Sequence, residues 1–270
     1  MMNKNFLYIL LLTTLIISSC DNVSTVNPQL NYKEYIVVKS ELKTNLDFEG
    51  VYITKTLPLN EPYDTNKAYV KDVIAYLMID GVKIVPLHYF QGGYYKPYGN
   101  LIPQTGETYE LFASANNVSF YATTKIPQTP IIENLNYVSK HIDVNVKSNS
   151  GEVYGAIWAI VVPGTQSAID MSNDFLSVVE AENSVLSPTT FLSTKDLPDK
   201  YNSDSYKNYR CAKVYAYDTP YLKYFQTKNN NQPVSNTFVQ GGDQIIWNVQ
   251  GENVFGMFIG VAEGSFVHSN

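Results

Sequence analysis

Residues 73–87 read Val73-Ile74-Ala75-Tyr76-Leu77-Met78-Ile79-Asp80-Gly81-Val82-Lys83-Ile84-Val85-Pro86-Leu87. The odd positions Val73, Ala75, Leu77 and Ile79 make one apolar face, the period-two pattern of a strand with one side on a core. Asp80-Gly81 follows, a two-residue hairpin signal because both positions tolerate positive φ. The returning strand contains Pro86, which cannot donate to a ladder and so points to a sheet edge. Paired strands with tight turns make the fold all-β.

The same reading extends in both directions. Tyr109, Leu111 and Ala113 alternate with Thr108, Glu110 and Ser114, and Asn116-Asn117 marks a turn. Val118, Phe120, Ala122 and Ile126 return opposite Ser119, Tyr121, Thr123 and Lys125. About seven short strands are expected over 32–126, an N-terminal sandwich of immunoglobulin or transthyretin type. Ile126-Pro127-Gln128-Thr129-Pro130-Ile131 interrupts any ladder twice and is the natural joint to a second, mainly-β domain over 131–270.

In that second half, Ile142, Val144 and Val146 alternate with His141, Asp143, Asn145 and Lys147. Residues 153–162 are nearly all apolar and include Trp158, which predicts a strand buried on both faces. One short helix is expected over 169–186, from Phe175, Leu176, Val178, Val179 and Val185 at three- and four-residue spacings, with Ser187-Pro188 ending it. Residues 187–209 are polar and read as a loop, and three strands follow at 211–217, 244–249 and 254–261.

Composition agrees with a globular chain and narrows its function. Of 270 residues, 44% are hydrophobic and 16% charged, enough to bury a sizeable core. Nineteen basic against 25 acidic residues leave no electrostatic footprint for nucleic acid. Two cysteines exclude a disulfide scaffold.

Lys4 precedes an apolar run of 12 residues from Phe6 to Ile17, shorter than the roughly 20 needed to span a bilayer. With Ser18 and Ser19 after it, residues 1–19 read as a secretory signal peptide. Ile17-Ser18-Ser19-Cys20 resembles a bacterial lipobox, which implies that Cys20 becomes the mature, acylated first residue. One acyl chain holds a protein marginally and two or more hold it stably. The resemblance implies three, palmitate among them, and hence a lasting membrane anchor. Residues 20–31 form a polar tether whose flexible part spans about 18 Å. Cys211 is then the one free thiol, set among tyrosines as a packed, inert side chain.

With a lipobox and tether ahead of them, Thr105-Gly106-Glu107-Thr108-Tyr109-Glu110-Leu111 and Tyr121-Ala122-Thr123-Thr124-Lys125-Ile126-Pro127 resemble a family of Bacteroidota lipoproteins, domain of unknown function 4249. Tyr215-Ala216-Tyr217, Pro233-Val234-Ser235-Asn236, Gly241-Gly242 and Val254-Phe255-Gly256 extend the resemblance into the second half. It implies an outer-membrane lipoprotein, on the cell-surface or the periplasmic side, associated with a TonB-dependent transporter. It implies no catalytic residues.

The residues themselves carry little chemistry. There is no Gly-x-Ser-x-Gly elbow, His-Glu-x-x-His or Cys-x-x-Cys, so no catalytic nucleophile, cofactor or metal is expected. His88, His141 and His268 read as ordinary surface side chains. Glu180 and Glu182 would point to different helix faces, and Asp196, Asp199 and Asp204 share a polar loop. That loop could ligate calcium or serve a carboxylate-dependent hydrolase, with a solvated loop the preferred reading. The candidate binding segment is 89–100, where Tyr89, Phe90, Tyr94, Tyr95 and Tyr98 share ten positions with glycines. Exposed, such rings stack on sugars or anchor a protein partner; buried, they merely cover the core. Tyr201, Tyr206 and Tyr209 form a weaker cluster. The expectation is a non-enzymatic, lipid-anchored binding or accessory module, with a carbohydrate-binding surface module as the alternative and the hydrolase third.

Overall fold

The computed structural model describes residues 32–58, 62–181, 189–230 and 244–269. Signal segment, Cys20 and tether all lie outside the described residues, as do Glu182, Ser187-Pro188, Pro233-Val234-Ser235-Asn236 and Gly241-Gly242.

The fold is all-β. The first half supplies β1 (Ile36–Lys43), β2 (Val51–Lys55), a one-turn helix α1 (Thr65–Ala68), β3 (Ile74–Ile79), β4 (Lys83–Tyr89), β5 (Tyr94–Lys96), β6 (Thr108–Ala115) and β7 (Val118–Lys125). The second supplies β8 (Ile131–Val138), β9 (His141–Lys147), β10 (Glu152–Val161), β11 (Ala168–Met171), β12 (Val178–Glu180), β13 (Thr189–Ser193) and β14 (Arg210–Asp218). It ends with helix α2 (Pro220–Asn230), β15 (Gln250–Gly251), β16 (Val254–Glu263) and β17 (Val267–His268). Both hairpins form where the turns were read. Asp80 and Gly81 take φ 49° and 68°, and Asn116 and Asn117 take 50° and 65°. Pro86 faces Tyr76 on β3, and β4 gains its other neighbour, β5, only at His88 and Tyr89. The strand is thus an edge where the proline sits.

Among the described residues, fourteen strands join one long sheet: twelve follow the path β11-β10-β14-β16-β1-β2-β5-β4-β3-β6-β7-β15, β12 pairs with β10 and β17 with β14, and β8, β9 and β13 make a second sheet. Alternation then sorts the side chains. Val38, Ile53, Tyr95, Leu77, Leu111 and Phe120 point into the first core. In β10, Tyr154, Ala156, Trp158 and Ile160 pack on the small sheet, while Val153 and Ile157 pack on the opposite side with Phe175 and Phe225. The strand is therefore buried on both faces, as its apolar run predicts. Each such aliphatic side chain contributes roughly 1.5–3 kcal/mol of burial.

Several expectations are corrected. Residues 169–186 do not form the helix: β11 and β12 lie there, as far as the described residues extend. Ser172, Asn173 and Asp174 break the segment, with the Ser172 hydroxyl bonded to the Asp174 carbonyl at 2.7 Å. Phe175 lies over Gly155 so closely that a Cβ there would sit 2.7 Å from the ring. The longer helix is α2 instead. Residues 244–249 are not a strand, and only Gln250–Gly251 pairs, with β7. The loop expected at 187–209 contains β13 and two 3₁₀ turns, Asp199–Tyr201 and Asp204–Tyr209.

Residues 34–270 form one compact unit, and the first core draws Val249 and Phe258 from beyond the proline joint. The physical reason is β16. It runs parallel to β1 along all eight residues of that strand, from Ile36↔Val254 to Lys43↔Val261. It also places Phe258 in the first core and Ala262 in the second. Thr124 adds a staple, accepting the Gly260 N–H at 2.7 Å and donating to Asp218 at 2.9 Å.

Candidate functional site

The period-two rule also determines what faces outward from the first sandwich. On β5, Tyr95 points in while Tyr94 and Lys96 point out. Tyr95 is fully buried; its hydroxyl donates to the Val70 carbonyl at 2.7 Å and accepts the Val73 N–H at 3.1 Å. It cannot contact a ligand, which corrects its place among the candidate binding residues. Tyr89 is half-buried and packs edge-on against Tyr95, with ring centroids 5.5 Å apart. The other three rings are at the surface. Phe90 is 61% exposed with the Lys96 ammonium 5.3 Å from its ring centre, and Tyr98, 90% exposed, lies 3.7 Å from the His88 ring. Tyr94, 38% exposed, sits 5.0 Å from Tyr52 on β2.

Register extends this surface beyond the segment the sequence singled out. Pro86, Tyr76, Phe112 and Tyr121 lie directly opposite one another on β4, β3, β6 and β7, all on the outer face. Tyr76 and Phe112 stack at 5.2 Å and 17°. Ile74 and Ile84, 78% and 61% exposed, flank the row on β3 and β4. Half-exposed antiparallel sheets ordinarily carry polar residues on this side. Aromatic residues at the non-core positions 76, 112 and 121 are the signal the sequence carries, one that a reading of the core-facing positions alone passes over.

At the other end, β1 turns Lys39, Glu41 and Lys43 outward, and Lys39 faces Tyr52 across the β1–β2 pair. These side chains, with Asp47, Glu49, Tyr52 and Tyr94, line a cleft of about 260 Å³. Burial pulls the Lys43 ammonium down, but Glu263 at 3.2 Å, with Glu41 and Glu49, outweighs it and leaves Lys43 above its usual value. Burial raises the Tyr52 phenol, so it stays a neutral donor and acceptor. A wider groove of about 560 Å³ lies beside Tyr121, bordered by Thr123, Asp218, Lys223, Trp247 and Gln250. Asp218 is already committed there, accepting from Thr124, the Lys125 N–H and the Thr219 N–H, each at 2.9 Å.

Of the carboxylates weighed for catalysis, Asp196 lies beside a histidine and the other described ones have separate surroundings. His141 lies 3.3 Å from Asp143 and 3.7 Å from Asp196. Ser193 donates to that same Asp143 at 2.6 Å, so a carboxylate separates serine from imidazole. Asp199 is paired with Lys140 at 2.8 Å, which holds its carboxyl below the usual range. Asp204 opens a 3₁₀ turn and Glu180 closes β12. Among the described residues, no group of three or more His, Cys, Asp or Glu is placed to hold a metal ion. Tyr201 is buried against Trp158 and Tyr206, so the second tyrosine cluster belongs to the core. Cys211 is fully buried, and burial pushes its thiol up to about 12.

No helix among the described residues is long and apolar enough to cross a membrane. A search of curated proteins finds no match to the chain. Comparison with protein families matches residues 23–266 to a domain of unknown function, DUF4249. That span takes in the tyrosine hairpin, the aromatic row and the closing strand β16, and the chain belongs to the DUF4249 family.

Proposed function

We propose that the protein is a non-catalytic, lipid-anchored binding module of the outer membrane, held by acylated Cys20, which docks a protein partner on the outer face of its first sandwich. The observation that supports this reading is the in-register row Pro86–Tyr76–Phe112–Tyr121, flanked by Ile74 and Ile84 and continued by Phe90 just after β4 and by Tyr98, beyond β5, against His88. Contiguous exposed apolar surface rimmed by polar groups marks interaction sites, and aromatic side chains are enriched at their centres. The partner is a TonB-dependent transporter, as the family resemblance implies.

The test is affinity purification of the full lipidated chain from detergent-solubilised envelope, with mass spectrometric identification of what is retained. A transporter should co-purify with the wild type. Ile74→Lys combined with Tyr121→Lys, both at exposed positions, should cut its recovery at least tenfold at unchanged melting temperature. Equal recovery by wild type and variant would refute the partner face. Cys20→Ala should move the chain from the particulate to the soluble fraction; an unchanged distribution would refute the anchor.

A further inference from the structure

The Tyr52–Tyr94 cleft has the makings of a second binding site, chemically unlike the aromatic row. We propose that it is a saccharide seat which takes one neutral pyranose unit of a glycan. Its volume, about 260 Å³, lies below the roughly 300–1,000 Å³ typical of sites for drug-sized ligands, so the occupant is small. A pyranose has an apolar C–H face and a rim of hydroxyls that each donate and accept. Tyr52 and Tyr94, tilted 49° to one another, supply aromatic surface for the face. The rim finds ammonium donors in Lys39 and Lys43 and carboxylate acceptors in Glu41 and Glu49.

The signs of these charges select the ligand class. Along β1 they alternate at Lys39, Glu41 and Lys43, spaced about 6.6 Å apart by the strand rise. An anionic sugar would meet Glu41, Asp47 and Glu49, a cationic one Lys39 and Lys43. A neutral polyol satisfies both sets. The side chains of Lys39 and Glu49 make no hydrogen bond or short ion pair among the described residues, so their bonding capacity is available to a ligand. The frame is rigid: Lys39 and Tyr52 face each other across paired strands, as do Tyr52 and Tyr94, and the Ser40 hydroxyl donates to the Gly50 carbonyl at 3.1 Å. Such preorganisation lowers the entropic cost of binding.

The inference rests on the reading of the chain as a binding module but uses a different surface, so the two fail separately. The probes are four soluble neutral polysaccharides, an α-glucan, a β-glucan, a xylan and a galactomannan, each cast into native gels through which the detergent-solubilised full chain is run. At least one should retard the wild type. Tyr52→Ala and Tyr94→Ala should weaken retardation at least tenfold and Glu49→Gln severalfold, while Ile84→Lys on the partner face leaves it intact. No retardation by any of the four overturns the seat, as does retardation that survives Tyr52→Ala and Tyr94→Ala. Should either alanine variant misfold by circular dichroism, unchanged retardation of the loop variant Glu49→Gln overturns it equally. Transporter capture without glycan retention removes the saccharide seat alone; glycan retention without capture removes the partner face alone.

Discussion

Tyr95 sits between Tyr94 and Lys96 on β5, and one step along a strand is enough to move a tyrosine from a ligand surface to a core. Its hydroxyl then serves two backbone groups between α1 and β3, the Val70 carbonyl and the Val73 N–H. Tyr95→Phe keeps the ring and strands both of them. We expect a loss of about 1–3 kcal/mol in urea denaturation, the cost of unsatisfied buried polar groups, with partner and glycan binding unchanged. A stability equal to wild type would mean that water reaches Val70 and Val73. Of the five aromatic candidates, Phe90, Tyr94 and Tyr98 reach the surface. Their exposure was not legible residue by residue, because Phe and Tyr suit either side of a strand.

Elements were legible to the degree that their period was unbroken. The hairpins at 80–81 and 116–117 and the doubly buried β10 follow directly from alternation and turn chemistry. Helix α2 did carry a signal, Pro220 at its first position followed by Tyr221, Leu222, Tyr224 and Phe225. The stronger-looking apolar spacing at 175–179 belongs to chain wrapped over Gly155, where contact with β10 outweighs local preference. Where elements meet, charge contributes. Burial pushes the Glu263 carboxyl up, but Lys213 at 2.6 Å and Lys43 at 3.2 Å outweigh it and hold it below its ordinary 4.5. A depressed carboxyl contributes stability that is fully present above the unfolded value and lost as pH falls through the folded one. Glu263→Gln should therefore cost about 1–2 kcal/mol at pH 7, and the difference from wild type should shrink steadily below pH 4.5. A difference independent of pH between 3 and 7 would assign the loss to packing and not to the ion pairs joining β1, β14 and β16.

At the scale of the molecule, closure depends on the pairing of β1 with β16. Gly256 makes the approach possible: its φ is +152°, and any Cβ would lie 1.9 Å from the Val38 carbonyl oxygen. Val249 and Phe258 complete the first core from far along the chain. A fragment of residues 32–126 would leave one side of β1 bare and the core short of those side chains. We expect it to be unfolded or aggregated, while residues 32–270 give one calorimetric transition with equal van't Hoff and calorimetric enthalpies. A fragment with dispersed amide resonances and cooperative melting would show instead that the N-terminal sandwich is an independent domain.

Alternation and turn residues determined by themselves that the chain is all-β and where most strands lie, because those signals are local in the backbone. Which outward side chains gather was decided only by the tertiary structure. Register aligned Pro86, Tyr76, Phe112 and Tyr121 across four strands and brought Tyr52 to Tyr94, contacts between residues up to 42 positions apart. Long-range pairing leaves no trace in a local window, since a strand's period says which face a residue takes but not which strand lies beside it.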